Sequence, residues 1–225
     1  MNQASEKQPP TAKKILVQCD FDGTVTLEDA SFVILDTFAR GDWHKLNDDY
    51  EAGKMTVGRF NDAAIDMVRA TKRAMLTAIE GKINVRPGFK DFTDFCRRNN
   101  WRLVLVSNGF DFYIEHILKE LGLTDIEYHA ARLRFHSGSR VTTQYIGPDG
   151  NPIDDGFKEA FVDSFLNQGY RIIYIGDGSS DFKPARKCHK IFARATLLQK
   201  CEVSGIPNTA FGDFLQIIRK LETGK

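Results

Sequence analysis

Apolar positions along the chain fall into two kinds of run. Ile15-Leu16-Val17 is a short block ending at Asp20, the pattern of a strand buried on both faces with polar residues at its C-terminal end. From Leu27 to Val85 the spacing becomes helical. Phe32, Leu35 and Phe38-Ala39 make one stripe. Phe60, Ala63-Ala64 and Met67-Val68 make a second, and Met75, Leu76 and Ile79 a third, punctuated by Gly53 and Gly81. Nothing in this stretch reads as a strand. After Pro87-Gly88, a helix bearing Phe89, Phe92, Phe95 and Cys96 leads into a strand over 101–106, which stops at Ser107-Asn108-Gly109. The next helix carries Tyr113, Ile114, Ile117, Leu118 and Leu121, with Gly122 as its C-cap. Residues 126–146 predict a short strand and then a hairpin around Ser137-Gly138, and 148–152 a turn. There follow a helix over 157–166 and a strand over 170–175, closed by Gly176-Asp177-Gly178. A helix over 181–187 has Pro184 in its first turn. A short strand at 191–193 and an amphipathic helix with Phe211, Phe214, Ile218 and Leu221 end the chain.

Strands alternating with helices predict an α/β fold with a parallel sheet covered on both faces. Residues 14–26 and 86–225 are expected to form the core, 27–85 a helical unit inserted after the first strand, and 1–13 a flexible tail. Ligands of such sheets bind outside the carboxyl ends of the strands. Three strands end in small polar sequences, at Asp20-Phe21-Asp22, Ser107-Asn108-Gly109 and Gly176-Asp177-Gly178. Their convergence at one edge is the main structural expectation.

Composition narrows the field by exclusion. Lys and Arg number 31 against 30 Asp and Glu, and no basic block stands out, so nucleic-acid binding has no support. No apolar run reaches membrane-span length, and the first residues lack the apolar core of a secretory signal. The four cysteines show no metal or redox spacing, which fits thiols in a reducing cytoplasm. The five histidines are scattered. Oligomeric state is not encoded in any of these features.

The strand ends carry the chemistry. A carboxylate such as Asp20 can attack phosphorus and form an acyl-phosphate. Asp22, two residues on, can protonate the leaving oxygen and then take a proton from water. Aspartates 20 and 177 would hold Mg²⁺, a hard ion that prefers oxygen. Ser107 and the amides of Asn108 and Gly109 could bind phosphoryl oxygens, and Lys158 offers a positive charge. Asp181 could anchor Lys158 or a metal-bound water. Each piece alone has a plainer reading: Asp-x-Asp-Gly as a turn, Lys158 as a solvated lysine. Their order, each at a predicted strand end or helix start, is what makes the set specific.

At these residues the sequence resembles the haloacid dehalogenase superfamily of phosphatases, matching four motifs in order: Asp20-Phe21-Asp22-Gly23-Thr24, Ser107-Asn108, Lys158, and Gly176-Asp177-Gly178-Ser179-Ser180-Asp181. The resemblance implies a Rossmann-like core with a small helical cap at 27–85, as in phosphoserine-phosphatase-like members. It implies Asp20 as nucleophile, Asp22 as acid/base, and Mg²⁺ bound by Asp20, the backbone carbonyl of Asp22, and Asp177. Within that branch the chain is most similar to the methionine-salvage enol-phosphate phosphatases, through 19–26, Asp111-Phe112-Tyr113, 191–194 and 198–201. It departs from them in having Asn108 where they have Gly, and in lacking a cysteine-rich stretch around 145–155. The expected substrate is a small phosphorylated metabolite. Phosphoserine, phosphoethanolamine, phosphocholine and pyridoxal phosphate are alternatives, with Asp29 and Arg59 as candidate specificity residues. A phosphate-binding protein without turnover is the alternative of a different class.

Overall fold

The computed structural model describes residues 14–136 and 141–223. The tail expected at 1–13 and the Ser137-Gly138 turn lie outside the described residues. In chain order the elements begin with β1 (Ile15–Cys19), α1 (Ala30–Phe38), α2 (Trp43–Glu51), α3 (Val57–Asp66) and α4 (Lys72–Ile79). There follow α5 (Phe89–Arg98), β2 (Arg102–Phe110), α6 (Asp111–Glu120), β3 (Glu127–Phe135), β4 (Val141–Gln144) and α7 (Phe157–Asn167). The remainder is β5 (Arg171–Gly176), a 3₁₀ turn (Ser179–Asp181), α8 (Phe182–Ala185), β6 (Lys190–Ala193), α9 (Ala195–Val203), β7 (Thr209–Ala210) and α10 (Phe214–Glu222).

The sheet runs β4-β3-β2-β1-β5-β6-β7, parallel except for β4. β1 occupies the middle, which is why Leu16, Val17 and Cys19 are fully buried and why both faces of that short strand are apolar. Register sets the site. Cys19 lies opposite Leu105 and Ile175, so Asp20, Ser107 and Asp177 all emerge at the same sheet edge. The Asp20 amide extends the ladder by donating to the Ile175 carbonyl at 2.9 Å. The α/β parallel-sheet expectation holds.

Helices α1–α4 leave and rejoin the sheet through one narrow stem. Thr26 and Val85 form an antiparallel bridge, Leu27 N donates to Asn84 O, and Arg86 N donates to Val25 O, both at 2.8 Å. Arg86 is buried and spends its guanidinium on the carbonyls of Gly23, Thr24, Thr26 and Gly212. Burying that charge is tolerable because its donors are satisfied by oriented backbone dipoles.

Four corrections to the sequence reading have simple causes. Helix α2 carried no predicted stripe because Trp43 is its one buried residue; Asp42 caps it by accepting from Lys45 N. The expected hairpin is present as β3 and β4, but the expected short strand is not separate from it: one long β3 pairs with β2 at its start and with β4 at its end. The helix expected over 181–187 is a 3₁₀ turn followed by the four-residue α8. Helix α9, with only Leu197 and Cys201 buried, and the two-residue β7 were not foreseen. No helix among the described residues is long and apolar enough to cross a membrane.

Candidate active site

The site grows from the C-terminal end of β1. Asp20 is almost fully buried there, and its Oδ1 accepts the Phe21 amide at 2.8 Å and lies 2.8 Å from Lys158 Nζ. Lys158, in the first turn of α7, is equally buried and is held at 2.7 Å by Asp181 Oδ1. Asp181 has no oxygen to spare. Its Oδ1 also accepts Tyr174 OH at 2.7 Å, and its Oδ2 accepts the amides of Asp177 at 3.1 Å and Gly178 at 2.9 Å. Of the partners considered for it from sequence, Lys158 is the one in contact.

Electrostatics follow from this packing. Burial works against a charged Lys158, but Asp181 and Asp20 outweigh it and keep its pKa raised. Burial likewise opposes ionisation of Asp181, yet the Lys158 charge and the converging donors hold its pKa low. Lys158 and Asp181 therefore form an ion pair. Asp20 is pushed well above the ordinary carboxylate range by burial and by the charge of Asp181, against the pull of Lys158. Asp177 is raised to about 6 by burial and by Asp181.

The excess of negative charge is itself informative. Carboxylate oxygens of Asp20, Asp177 and Asp181 lie within 4.8 Å of one another, with Lys158 and Arg194 as the basic side chains lining the same cavity. With Asp181 saturated, Asp20 and Asp177 remain to face a cation. Thr24 Oγ1 orients Asp177 by donating to its Oδ1 at 2.7 Å. Gly23, at φ +72°, passes so close to Asp177 Oδ2 that any side chain there would strike it. An all-oxygen donor set with uncompensated charge fits Mg²⁺.

Asp22 sits apart from this cluster. Its Oδ1 accepts the Ala30 amide at 3.0 Å, and its Oδ2 accepts Tyr113 OH at 2.6 Å, with Ser107 Oγ 3.4 Å away. Burial, with Asp29 nearby, raises its pKa to about 8, so it carries a proton at neutral pH. Gly109 is required beside it, because a side chain there would collide with both Asp22 and Tyr113. The Gly109 amide donates to Ser107 Oγ at 2.9 Å. The Asn108 carbonyl accepts Asn61 Nδ2 at 2.8 Å and Tyr145 OH at 2.7 Å.

These groups line a cavity of about 390 Å³ between the strand ends and helices α1–α3. Asp20, Asp22, Ser107, Asn108, Lys158 and Asp177 all reach it; Asp181 lies behind Lys158. From the helices come Phe32, Asn47, Tyr50, Glu51, Phe60 and Asn61, but no Lys or Arg. The two specificity candidates separate. Asp29 lines the cavity, but as N-cap of α1 it is engaged by Ser31 and the Phe32 amide. Arg59 is exposed and lines a neighbouring cavity instead. Sequence reading gave no role to Tyr174, Asn61 or Tyr145, and included Tyr113 only within the Asp111-Phe112-Tyr113 segment, without its bond to Asp22.

A profile of the haloacid dehalogenase-like hydrolases matches residues 17–186. The 2-hydroxy-3-keto-5-methylthiopentenyl-1-phosphate phosphatase of Brevibacillus brevis is 28% identical over 215 residues, covering 94% of this chain and 96% of its own. The polyol phosphate phosphatase PYP1 of Saccharomyces cerevisiae is 26% identical over 226 residues, covering 93% of each. Among solved structures, a phospho-aspartyl intermediate analogue of phosphoserine phosphatase aligns with a TM-score of 0.72. Its identity is 18%, over 93% of this chain and 99% of that one.

Proposed function

This chain belongs to the haloacid dehalogenase-like hydrolases, and from that premise we propose that it is a Mg²⁺-dependent phosphatase of a small metabolite with an uncharged leaving group, working through an aspartyl-phosphate on Asp20. The observation that carries the reading is the buried chain Asp20–Lys158–Asp181, with contacts of 2.8 and 2.7 Å, at the floor of a cavity that also holds a protonated Asp22.

Each residue has a defined task. An Asp20 oxygen bonds to phosphorus while the bond from phosphorus to the leaving oxygen breaks. Asp22 gives its proton to that oxygen. As a carboxylate, Asp22 then takes a proton from the water that attacks phosphorus, and the bond to Asp20 breaks. Lys158, fixed by Asp181, holds positive charge beside Asp20 and the phosphoryl oxygens. Ser107 and the Asn108 amide cradle those oxygens, while the Gly109 amide is engaged by Ser107 Oγ. Asp20, the backbone carbonyl of Asp22, and Asp177 would hold Mg²⁺, which offsets the repulsion between anionic nucleophile and anionic phosphate.

We read 14–26 and 86–225 as the catalytic core and 27–85 as a cap that excludes water over it. Of the cap residues lining this cavity none is Lys or Arg; the cap's Lys54 and Arg59 line the adjoining cavity, which shares Asn108 and Lys158 with it, and Arg194 enters from the core while donating to the Gly23 carbonyl at 2.6 Å. A substrate carboxylate therefore has no dedicated cap cation within this cavity, which counts against phosphoserine. The methionine-salvage enol-phosphate is the first candidate and a polyol phosphate the second, in keeping with the relatives that align from end to end. A cytoplasmic setting agrees with four unpaired cysteines.

Phosphate release from the enol-phosphate, from polyol phosphates and from phosphoserine, with and without Mg²⁺, tests the reading. Phosphoserine should show kcat/KM lower by about tenfold or more, since the cap offers its carboxylate no Lys or Arg within this cavity. Preference for phosphoserine overturns the uncharged leaving group. Binding without release from any ester points to a phosphate-ligand protein.

A further inference from the structure

We infer that Tyr145 and Asn61 are positioning residues that act through the Asn108–Gly109 peptide to aim the Ser107 hydroxyl at phosphate. The inference rests on the reading of Ser107 as part of the phosphate cradle and goes beyond it, because both residues touch only the carbonyl side of the Asn108–Gly109 peptide.

The register of β2 against β3 shifts between Val106 and Phe110, so backbone groups of 107–109 leave the regular ladder there. A buried carbonyl released from a ladder needs other donors. That of Asn108 finds two, Tyr145 OH at 2.7 Å and Asn61 Nδ2 at 2.8 Å. Asn61 also donates to the Tyr145 oxygen, closing a triangle. Both side chains are about 95% buried, at 5% and 6% exposure, and the Tyr145 ring packs on Phe157 with centroids 4.9 Å apart. The triangle is thus fixed from the core by Tyr145 and from the helical insertion by Asn61.

Peptide planarity transmits this outward. In a trans peptide the C=O and the following N–H point in opposite directions. With the Asn108 carbonyl held, the Gly109 N–H is turned the other way, where it donates to Ser107 Oγ at 2.9 Å. A hydroxyl has one proton to give and two lone pairs to offer. Because Gly109 occupies a lone pair, the Ser107 proton is directed to the cavity side, where Asp22 Oδ2 accepts it at 3.4 Å, a long contact that a phosphoryl oxygen can displace. A nearby contact supplies the control. Asp62 on α3 pairs with Thr143, holding the insertion to the core without touching the Asn108 carbonyl.

The test is the affinity of the full chain for inorganic phosphate with Mg²⁺, by calorimetry, alongside KM and kcat for p-nitrophenyl phosphate. Tyr145→Phe and Asn61→Ala should each raise the phosphate Kd about threefold to tenfold, the worth of a neutral hydrogen bond. KM should rise similarly and kcat change less, with the melting temperature of Tyr145→Phe unchanged. Asp62→Ala should leave Kd as it is. Wild-type affinity in Tyr145→Phe and Asn61→Ala, while Ser107→Ala binds phosphate weakly, overturns the positioning role alone. An equal loss in Asp62→Ala also overturns it, since docking of the insertion would then account for the effect. Wild-type affinity in Ser107→Ala overturns the cradle reading and the inference together.

Discussion

The two walls of the cavity are built on opposite principles. The sheet-edge wall is a buried ionic lattice: Asp20, Lys158, Asp181 and Asp177 reach one another within a few ångströms, and Tyr174, Thr24 and backbone amides fix their oxygens. The wall from the helical insertion offers neutral amides, aromatic rings and a single exposed acid, Glu51, which accepts Ser179 Oγ at 2.6 Å. In the first wall the removal of one partner leaves another buried charge unpaired. In the second, a lost contact is replaced by water. Chemistry should therefore be brittle to substitution at the sheet edge, and leaving-group recognition should be adjustable at the insertion.

The largest expected effect is at Asp20. Asp20→Asn replaces the nucleophile with an amide and should cut kcat by about 10⁴-fold or more, with the far-ultraviolet circular dichroism unchanged. A smaller loss, about 10² to 10⁴-fold, is expected for Asp22→Asn on esters with poor leaving groups. The pH profile sharpens this. Asp22 has its pKa raised to about 8, so it is protonated below that value and loses its proton above it. As an acid it works only while protonated. The rate of ester cleavage should therefore fall as pH rises through about 8. Asp22→Asn should lack that fall, and esters with good leaving groups should show less of it.

Asp177→Asn comes next, raising the Mg²⁺ concentration for half-maximal rate about tenfold to a hundredfold. Unchanged metal dependence would remove Asp177 from the ligand set. At the other wall, Glu51→Gln should alter KM by about threefold or less, as expected for an exposed hydrogen bond, and Arg59→Ala should change neither constant. If Glu51→Gln lowered kcat as steeply as the aspartate variants, the contrast between the walls would fail.

The same contrast governs what could be read from sequence. Asp20, Ser107 and Asp177 were legible because each ends a strand whose apolar run is plain, and parallel register brings strand ends together. Lys158 and Asp181 were legible only as members of an ordered set. The bonds made by Tyr113, Asn61 and Tyr145 were not, because the partners they orient lie 91, 47 and 37 residues away. Helix α2 was hidden for a related reason: it buries only Trp43, so its stability comes from its Asp42 cap and its neighbours rather than from an apolar stripe. Arg59, a specificity candidate from sequence, lines the adjoining cavity rather than the one at the strand ends.

The nucleophilic role of Asp20 is tested most directly by trapping the intermediate. Wild-type enzyme turning over a phosphomonoester with Mg²⁺ is quenched in acid, digested and analysed by mass spectrometry. The account predicts a phosphoryl group on the peptide containing Asp20, at the Asp20 carboxyl, and none in Asp20→Asn. A phosphoryl group on another residue, or Asp20→Asn releasing phosphate at the wild-type rate, would contradict it.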